Sequence, residues 1–129
     1  MRFRSAVSVA VLAVALAGCS SAPILNIEAA PVSTASGKKP SAQEVRAAII
    51  RAGSSLGWQM RDEGPNLLVG TLHLRSHTAV VEIPYNSQTY SIKYRSSVNL
   101  DAQGGQIHKN YNGWIQNLNR NINAQLSAS

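Results

Sequence analysis

Three histidines, His73, His77 and His108, are the residues of this sequence whose type most readily supports chemistry. His73 and His77 stand four apart, a spacing that on one face of a helix could hold a metal ion. They fall instead on a predicted strand and the turn after it. Residues an even number apart on a strand point to the same face, so both histidines would point outward, about 13 Å apart at the usual strand rise. No third ligand lies nearby in sequence, so we expect neither a metal site nor a cofactor.

His108 begins a string that continues through Tyr111 and Trp114 at the start of the last helical pattern. One interpretation makes these residues a wall of a pocket, since aromatic walls with a polar tip suit small ligands. The other makes the aromatic residues core anchors, with His108 near the helix N-cap and hydrogen-bonded to a loop carbonyl. The same two interpretations apply to the tyrosines of the strands, and core packing is favoured. The candidate ligand or partner contacts are therefore His108, Tyr111, Trp114, Tyr85, Tyr90 and Tyr94.

Known catalytic motifs are missing from the sequence, which contains no H-E-x-x-H, G-x-S-x-G, P-loop or C-x-x-C pattern. Asp62 and Glu63 are adjacent acids at the end of a predicted strand, so they point to alternating sides and cannot share a proton as a glycosidase pair would. We therefore expect a protein that is not an enzyme. The alternative is an enzyme that uses His108 or His73.

The single cysteine ends an apolar run near the start of the chain. Arg2 and Arg4 precede residues 6–17, about a dozen apolar residues, which is typical of a secretory signal and too short to span a bilayer. The tetrad Leu16-Ala17-Gly18-Cys19 resembles the lipobox of bacterial lipoproteins. This resemblance implies removal of residues 1–18, a diacylglyceryl group on the Cys19 sulfur and an acylated amino terminus. The alternative is an ordinary signal peptide that leaves Cys19 as a free thiol.

The lipobox resemblance also implies a location. Two or three acyl chains hold a protein durably on a membrane, so the lipid on Cys19 would make the bilayer a partner. In the enterobacterial pattern an aspartate after the cysteine favours the inner membrane, whereas this chain has Ser20. The expectation is a lipid-anchored protein of the outer membrane that faces the periplasm.

The charge of the chain is basic, with 12 Lys and Arg against 6 Asp and Glu and a formal net charge of +6. Arg2 and Arg4 belong to the signal, and the remaining basic residues are scattered singly along the chain. Nucleic-acid-binding domains usually concentrate them on one face. We therefore expect no nucleic-acid partner.

Residues 19–39 are rich in Ala, Ser and Pro and follow no helical or alternating period, which predicts a flexible tether. Ile24, Leu25 and Ile27 are exceptions that could dock on the domain or lie in the headgroups, but disorder is favoured. A single domain is then expected over residues 40–129.

The domain should begin with a helix, because Ser41 and Glu44 fit the capping box S-x-x-E and Gly57 is well placed to end it. Gly53 lies inside this helix, so either a neighbour packs closely there or the helix frays after Ala52. Its apolar face is Val45, Ala48, Ile49, Ala52 and Leu56.

Four alternating segments then predict strands at residues 58–62, 67–75, 78–85 and 89–95, joined by short turns. After a loop at residues 101–106, a second helical stripe runs from Ile107 to Leu126. These elements predict an α+β fold with the order α-β-β-β-β-α. It would be a two-layer sandwich in which an N-terminal and a C-terminal helix cover one face of a four-stranded antiparallel meander.

The stretches GTL (70–72), HTAVVEIPY (77–85), YSIKY (90–94) and IHKNYN (107–112) resemble a family of small proteobacterial lipoproteins over residues 40–126. That family has no assigned activity, so the resemblance implies an envelope protein and adds no catalytic residue. Two functions remain open. The favoured one is a non-catalytic protein-interaction or structural module that uses an exposed sheet face with Val69, Thr71, Val80 and Thr89. The alternative is a module that binds glycan, lipid or a small hydrophobic molecule in a cavity bordered by Tyr111, Trp114 and the sheet tyrosines.

Overall fold

A computed structural model describes residue 6 and residues 20–129 of the chain. The predicted signal peptide otherwise lies outside the described residues, and so does Cys19. The strands are β1 (Ser21–Pro23), β2 (Ile27–Pro31), β3 (Trp58–Gly64), β4 (Leu67–Leu74), β5 (His77–Pro84), β6 (Thr89–Val98) and β7 (Gln106–His108). The helices are α1 (Ala42–Ser55) and α2 (Lys109–Ser127). In the described part of the chain, neither helix is both long and apolar enough to cross a membrane.

Helix α1 begins with the predicted capping box. The Ser41 hydroxyl accepts a hydrogen bond from the Glu44 N–H at 3.1 Å, and the Glu44 carboxylate accepts one from the Ser41 N–H at 3.4 Å. A close neighbour accounts for Gly53, because a Cβ there would lie 2.7 Å from the sulfur of Met60 on β3. The helix therefore continues to Ser55, and Gly57 follows with a φ of +89°.

The main sheet is antiparallel and has the strand order β2-β6-β5-β4-β3. Short turns connect β3 through β6, as predicted, and both helices contribute to the apolar core on one face of this sheet. The helices bury Val45, Ala48, Ile49, Ala52, Tyr111, Ile115, Leu118, Ile122 and Leu126, and the sheet buries Leu68, Leu72, Ala79, Val81, Ile83, Tyr90 and Ile92. The α+β class is thus confirmed.

The expected count of four strands is wrong, because the fifth strand comes from the segment that was predicted to be a tether. Strand β2 pairs with β6, with Ile27 opposite Ile92 and Ala30 opposite Tyr90. Strand β1 pairs with β7, and together they form a small second sheet. Ile107 belongs to β7, so α2 begins two residues later than its apolar stripe indicated.

Residues 20–31, which we call the N-terminal segment, are bound to the domain along their length. The side chain of Asn112 on α2 accepts a hydrogen bond from the Leu25 N–H at 2.9 Å and donates one to the Pro23 carbonyl at 2.8 Å. Asn26 accepts a hydrogen bond from the Tyr94 N–H at 2.8 Å. Ile24, Leu25 and Ile27 pack against the core. The prediction of a flexible tether is therefore wrong for this segment, and the folded unit begins well before residue 40.

Several helix ends, turns and loops lie together at one end of the molecule. The Lys109 N–H, at the start of α2, donates to the Ser20 carbonyl at 2.8 Å, and the His108 N–H donates to the Leu100 carbonyl at 2.9 Å. Asn99 donates to the Ser76 hydroxyl in the β4–β5 turn at 2.8 Å. We call this the Ser20 end. It comprises Ser20, the C-terminus of α1, the turn at residues 75–76, the loop at residues 99–105 and the N-terminus of α2.

Candidate functional site

Three of the four candidate tyrosines lie in the core. Tyr90 and Tyr111 have no exposed surface, and Tyr85 is 6% exposed. The Tyr90 hydroxyl lies 2.5 Å from the Oδ1 of Asn119 and 3.0 Å from that of Asn123, both on α2. Burial raises the pKa of Tyr90 to about 12, since a phenolate would lose its hydration there. Tyr90 therefore serves to attach the sheet to α2.

Tyr94 and Tyr111 form an edge-to-face pair, with ring centroids 5.6 Å apart. Tyr94 is half-buried, and its hydroxyl lies 2.9 Å from the Ser97 hydroxyl. The Tyr111 hydroxyl, in contrast, is buried without a hydrogen-bond partner among the described residues, and burial raises its pKa. Tyr90 and Tyr111 thus belong to the apolar core and have no surface open to solvent.

The histidines do not converge. His73 is exposed on the outer face of the sheet, the face away from the helices, and its Nδ1 lies 3.0 Å from the Thr78 hydroxyl. His77 pairs with Leu74 across the β4–β5 hairpin and therefore lies on the helix face, where its ring centroid is 6.1 Å from that of Trp114. The prediction that both histidines point outward is wrong, because the turn reverses the parity between them.

His108 is the N-cap of α2. Its Nδ1 accepts a hydrogen bond from the Asn110 N–H at 3.2 Å, which satisfies one of the free donors of the first helical turn. The predicted position at the N-cap is confirmed, but the partner is a backbone N–H and not a loop carbonyl. Over residues 20–129, no group of three or more His, Cys, Asp or Glu side chains is arranged to hold a metal ion.

The outer face of the sheet carries a charged network. Arg95 on β6 reaches Glu63 on β3 at 2.5 Å and approaches Glu82 on β5 at 3.7 Å. The Arg95 guanidinium lowers the pKa of Glu63. Val69 lies on this face with Arg61 and Glu82 as its cross-strand partners, yet it is fully buried. Its expected exposure is wrong, because long charged side chains cover apolar surface with their stems.

An apolar groove of about 100 Å³ lies at the Ser20 end, where the helices meet the strands. Its lining residues are Leu56, Trp58, Leu72, Leu74, Trp114 and Asn117. Of the candidate contacts, only Trp114 borders it. The volume is below the roughly 300 Å³ at which ligand pockets usually begin. The groove is therefore better suited to contact with a surface than to enclosure of a small molecule.

Exposed apolar side chains lie at the Ser20 end, and two of them line this groove. Among the described residues, the large hydrophobic residues with substantial exposure are Leu56 at 37%, Leu74 at 44% and Val98 at 60%. The sequence pattern placed Leu56 on the apolar face of the first helix and did not indicate the exposure of Leu74 or Val98. Leu56 directly precedes the helix-ending Gly57 and Leu74 directly precedes the hairpin turn, so their positions at element ends were the signal for exposure.

Comparisons with protein-family models, with curated proteins and with solved structures found no match for this chain.

Proposed function

We propose that this protein is a lipid-anchored protein of the bacterial cell envelope, held at the periplasmic face of the outer membrane, whose domain is a non-catalytic module that binds another envelope protein. The observation that carries the anchor is the tetrad Leu16-Ala17-Gly18-Cys19 after a basic flank and a short apolar run. Each buried methylene contributes about 0.8 kcal/mol to membrane binding, so two or three acyl chains suffice to retain the domain.

The anchor is tested by Cys19→Ala in the full-length chain, with Ser20→Ala as the matched control. The mature wild-type protein and the control should carry acyl groups in intact-mass spectra and incorporate labelled palmitate in cells. Cys19→Ala should lose the label and accumulate as the uncleaved precursor. An unmodified thiol on a wild-type protein that fractionates with soluble periplasmic contents would contradict the anchor.

The outer face of the sheet supports the binding role, because the helices leave it open and it combines fixed charges with small apolar side chains. Lys93 on β6 pairs with Glu28 on β2 at 3.8 Å, and Arg95 holds the acids of β3 and β5. Thr71 and Val80 are half-buried cross-strand partners and lie next to the pair of Val69 and Glu82 on this face. Such a face offers a partner paired charges beside smaller, partly apolar side chains, and specific interfaces combine both kinds of contact.

Site-specific photo-crosslinking in living cells tests this role. A photoreactive residue at Thr71 or Val80 should give one discrete adduct, and the same residue at Gln116, exposed on α2, should not. A Lys93→Glu substitution should reduce the adduct several-fold by reversing a charge on the face. Equal adducts at all three positions, or adducts unaffected by Lys93→Glu, would contradict a binding role for this face.

A further inference from the structure

The point at which the chain leaves the domain toward Cys19 is fixed by the fold. The Ser20 carbonyl accepts the Lys109 N–H at 2.8 Å, and Ser21 pairs with His108 in the β1–β7 ladder. Consecutive Cα atoms are about 3.8 Å apart, so a lipid on Cys19 is attached one residue from this hydrogen bond. The proposed anchor therefore has no long spacer between the bilayer and the Ser20 end.

The same end carries the exposed apolar side chains. Leu56 ends α1, Leu74 precedes the β4–β5 turn, and Val98 ends β6 as the cross-strand partner of Thr78. Leu74 lies on the helix face of the sheet and Val98 on the outer face, so they flank the end from both sides. Trp114, half-exposed at the groove, is of the residue type enriched at membrane interfaces.

The charges at this end are mixed. Arg75 in the turn and Lys109 at the start of α2 are exposed cations, and Asp101 in the loop is an exposed acid. The two cations suit the phosphates of a lipid headgroup layer, where each basic residue near an anionic surface contributes about 1 kcal/mol. The apolar side chains can then reach the boundary between headgroups and acyl chains, a depth of about 5–10 Å.

We propose that the Ser20 end is a membrane-contacting surface, in which Leu56, Leu74, Val98 and Trp114 enter the headgroup region of the bilayer that holds the anchor. The inference rests on the proposed lipidation of Cys19 and adds a fixed orientation to it. Strands β3 through β6 then extend away from the membrane surface, and the outer face of the sheet is accessible to partners from the side.

Tryptophan fluorescence of the full-length, processed protein tests this contact. The protein is reconstituted in vesicles of phosphatidylethanolamine and phosphatidylglycerol, with and without lipids brominated close to the headgroup. Bromine quenches on contact, so the Trp114 ring should lose emission if it lies at the depth of about 5–10 Å that interfacial residues reach. Trp58 is 3% exposed, and Trp114→Phe should remove most of the quenching.

The double variant Leu74→Glu/Val98→Glu should recover most of the emission because it places two charges in the contact. The matched control is Ser87→Glu/Gln88→Glu, which adds the same charges to exposed residues at the opposite end and should be quenched like the wild type. If Leu74→Glu/Val98→Glu does not fold, the loss of quenching in Trp114→Phe still tests the contact.

The outcomes separate the contact from the anchor. Unquenched emission from protein whose mass shows acyl groups on Cys19 would overturn the contact and leave the anchor intact. Protein without acyl groups would overturn the anchor itself, and with it the contact. Conversion of a dimer to a monomer by Leu74→Glu/Val98→Glu, without any bromine effect, would identify this end as a self-association surface and overturn the proposal.

Discussion

At the residue scale, the Tyr111 hydroxyl is the least favourable group of the core. It is buried without a partner, and a buried polar group that lacks a hydrogen bond costs about 1–3 kcal/mol. We expect Tyr111→Phe to raise the free energy of unfolding by about 1 kcal/mol, since the ring and its contact with Tyr94 are retained. Urea denaturation followed by circular dichroism measures the change.

Tyr90→Phe is the matched comparison, because it removes the same atom from a hydroxyl that has partners. It leaves Asn119 and Asn123 without the phenol, and we expect a loss of about 1 kcal/mol. The two substitutions should therefore have opposite signs. Destabilisation by Tyr111→Phe equal to that by Tyr90→Phe would mean that the Tyr111 hydroxyl has a partner in solution.

Residue types alone could assign Tyr85, Tyr90 and Tyr111 to the core, since strand parity and helical spacing both point inward. They could not assign His77 to a face of the sheet, because one additional or missing residue in the preceding turn exchanges the two faces of the strand. Trp114 shows a similar limit. It belongs to the inward stripe of α2 by spacing, but it lies near the end of the sheet, where packing does not cover it fully.

At the scale of elements, ion pairs tie strands and helices together. Arg46 on α1 holds Asp62 on β3 through two contacts of 2.8 and 2.6 Å, and this pairing lowers the pKa of Asp62. Arg95 similarly lowers the pKa of Glu63. Two neighbouring acids on an edge strand are thus each bound to another element of the fold.

These shifts predict an acid-dependent loss of stability. The folded pKa values of Asp62 and Glu63 lie below their ordinary values of 3.8 and 4.5, so the pairs stabilise the fold above those values. The contribution should disappear as the pH falls through the folded values. Denaturation midpoints measured between about pH 6 and pH 2 should fall less steeply for Asp62→Asn/Glu63→Gln than for the wild type. Equal slopes would contradict the prediction.

Local sequence patterns were sufficient to predict α1 and strands β3 to β6. Ser41 and Glu44 mark a helix start within four residues, and the alternation in each strand is visible without knowledge of its partner. Strands β1 and β2 carry no such pattern, being short and containing Ala and Pro. Their pairing depends on residues far away in sequence, as the pairs Ser21–His108 and Ile27–Ile92 illustrate.

At the scale of the whole molecule, the N-terminal segment completes the main sheet by covering the edge of β6. A chain of residues 32–129 should therefore be less stable than one of residues 20–129, by about 3 kcal/mol for the half-buried Ile24, Leu25 and Ile27. It should also self-associate, because the uncovered edge of β6 offers unpaired backbone groups.

Denaturation and light scattering of the two chains measure these effects, and Ser33→Gly in residues 20–129 provides a control outside the strands. A free tether would make the two chains equally stable and equally monomeric. That result would contradict the five-stranded sheet.

The β1–β7 pairing also sets an order of events during biogenesis. His108 follows Ser21 by most of the described chain, so strands β3 to β6 are synthesised before Ser21 can pair with His108. Closing so long a loop is slow compared with forming local hairpins. The proposed lipidation of Cys19 would therefore act on a chain whose strand β1 has not yet docked on β7.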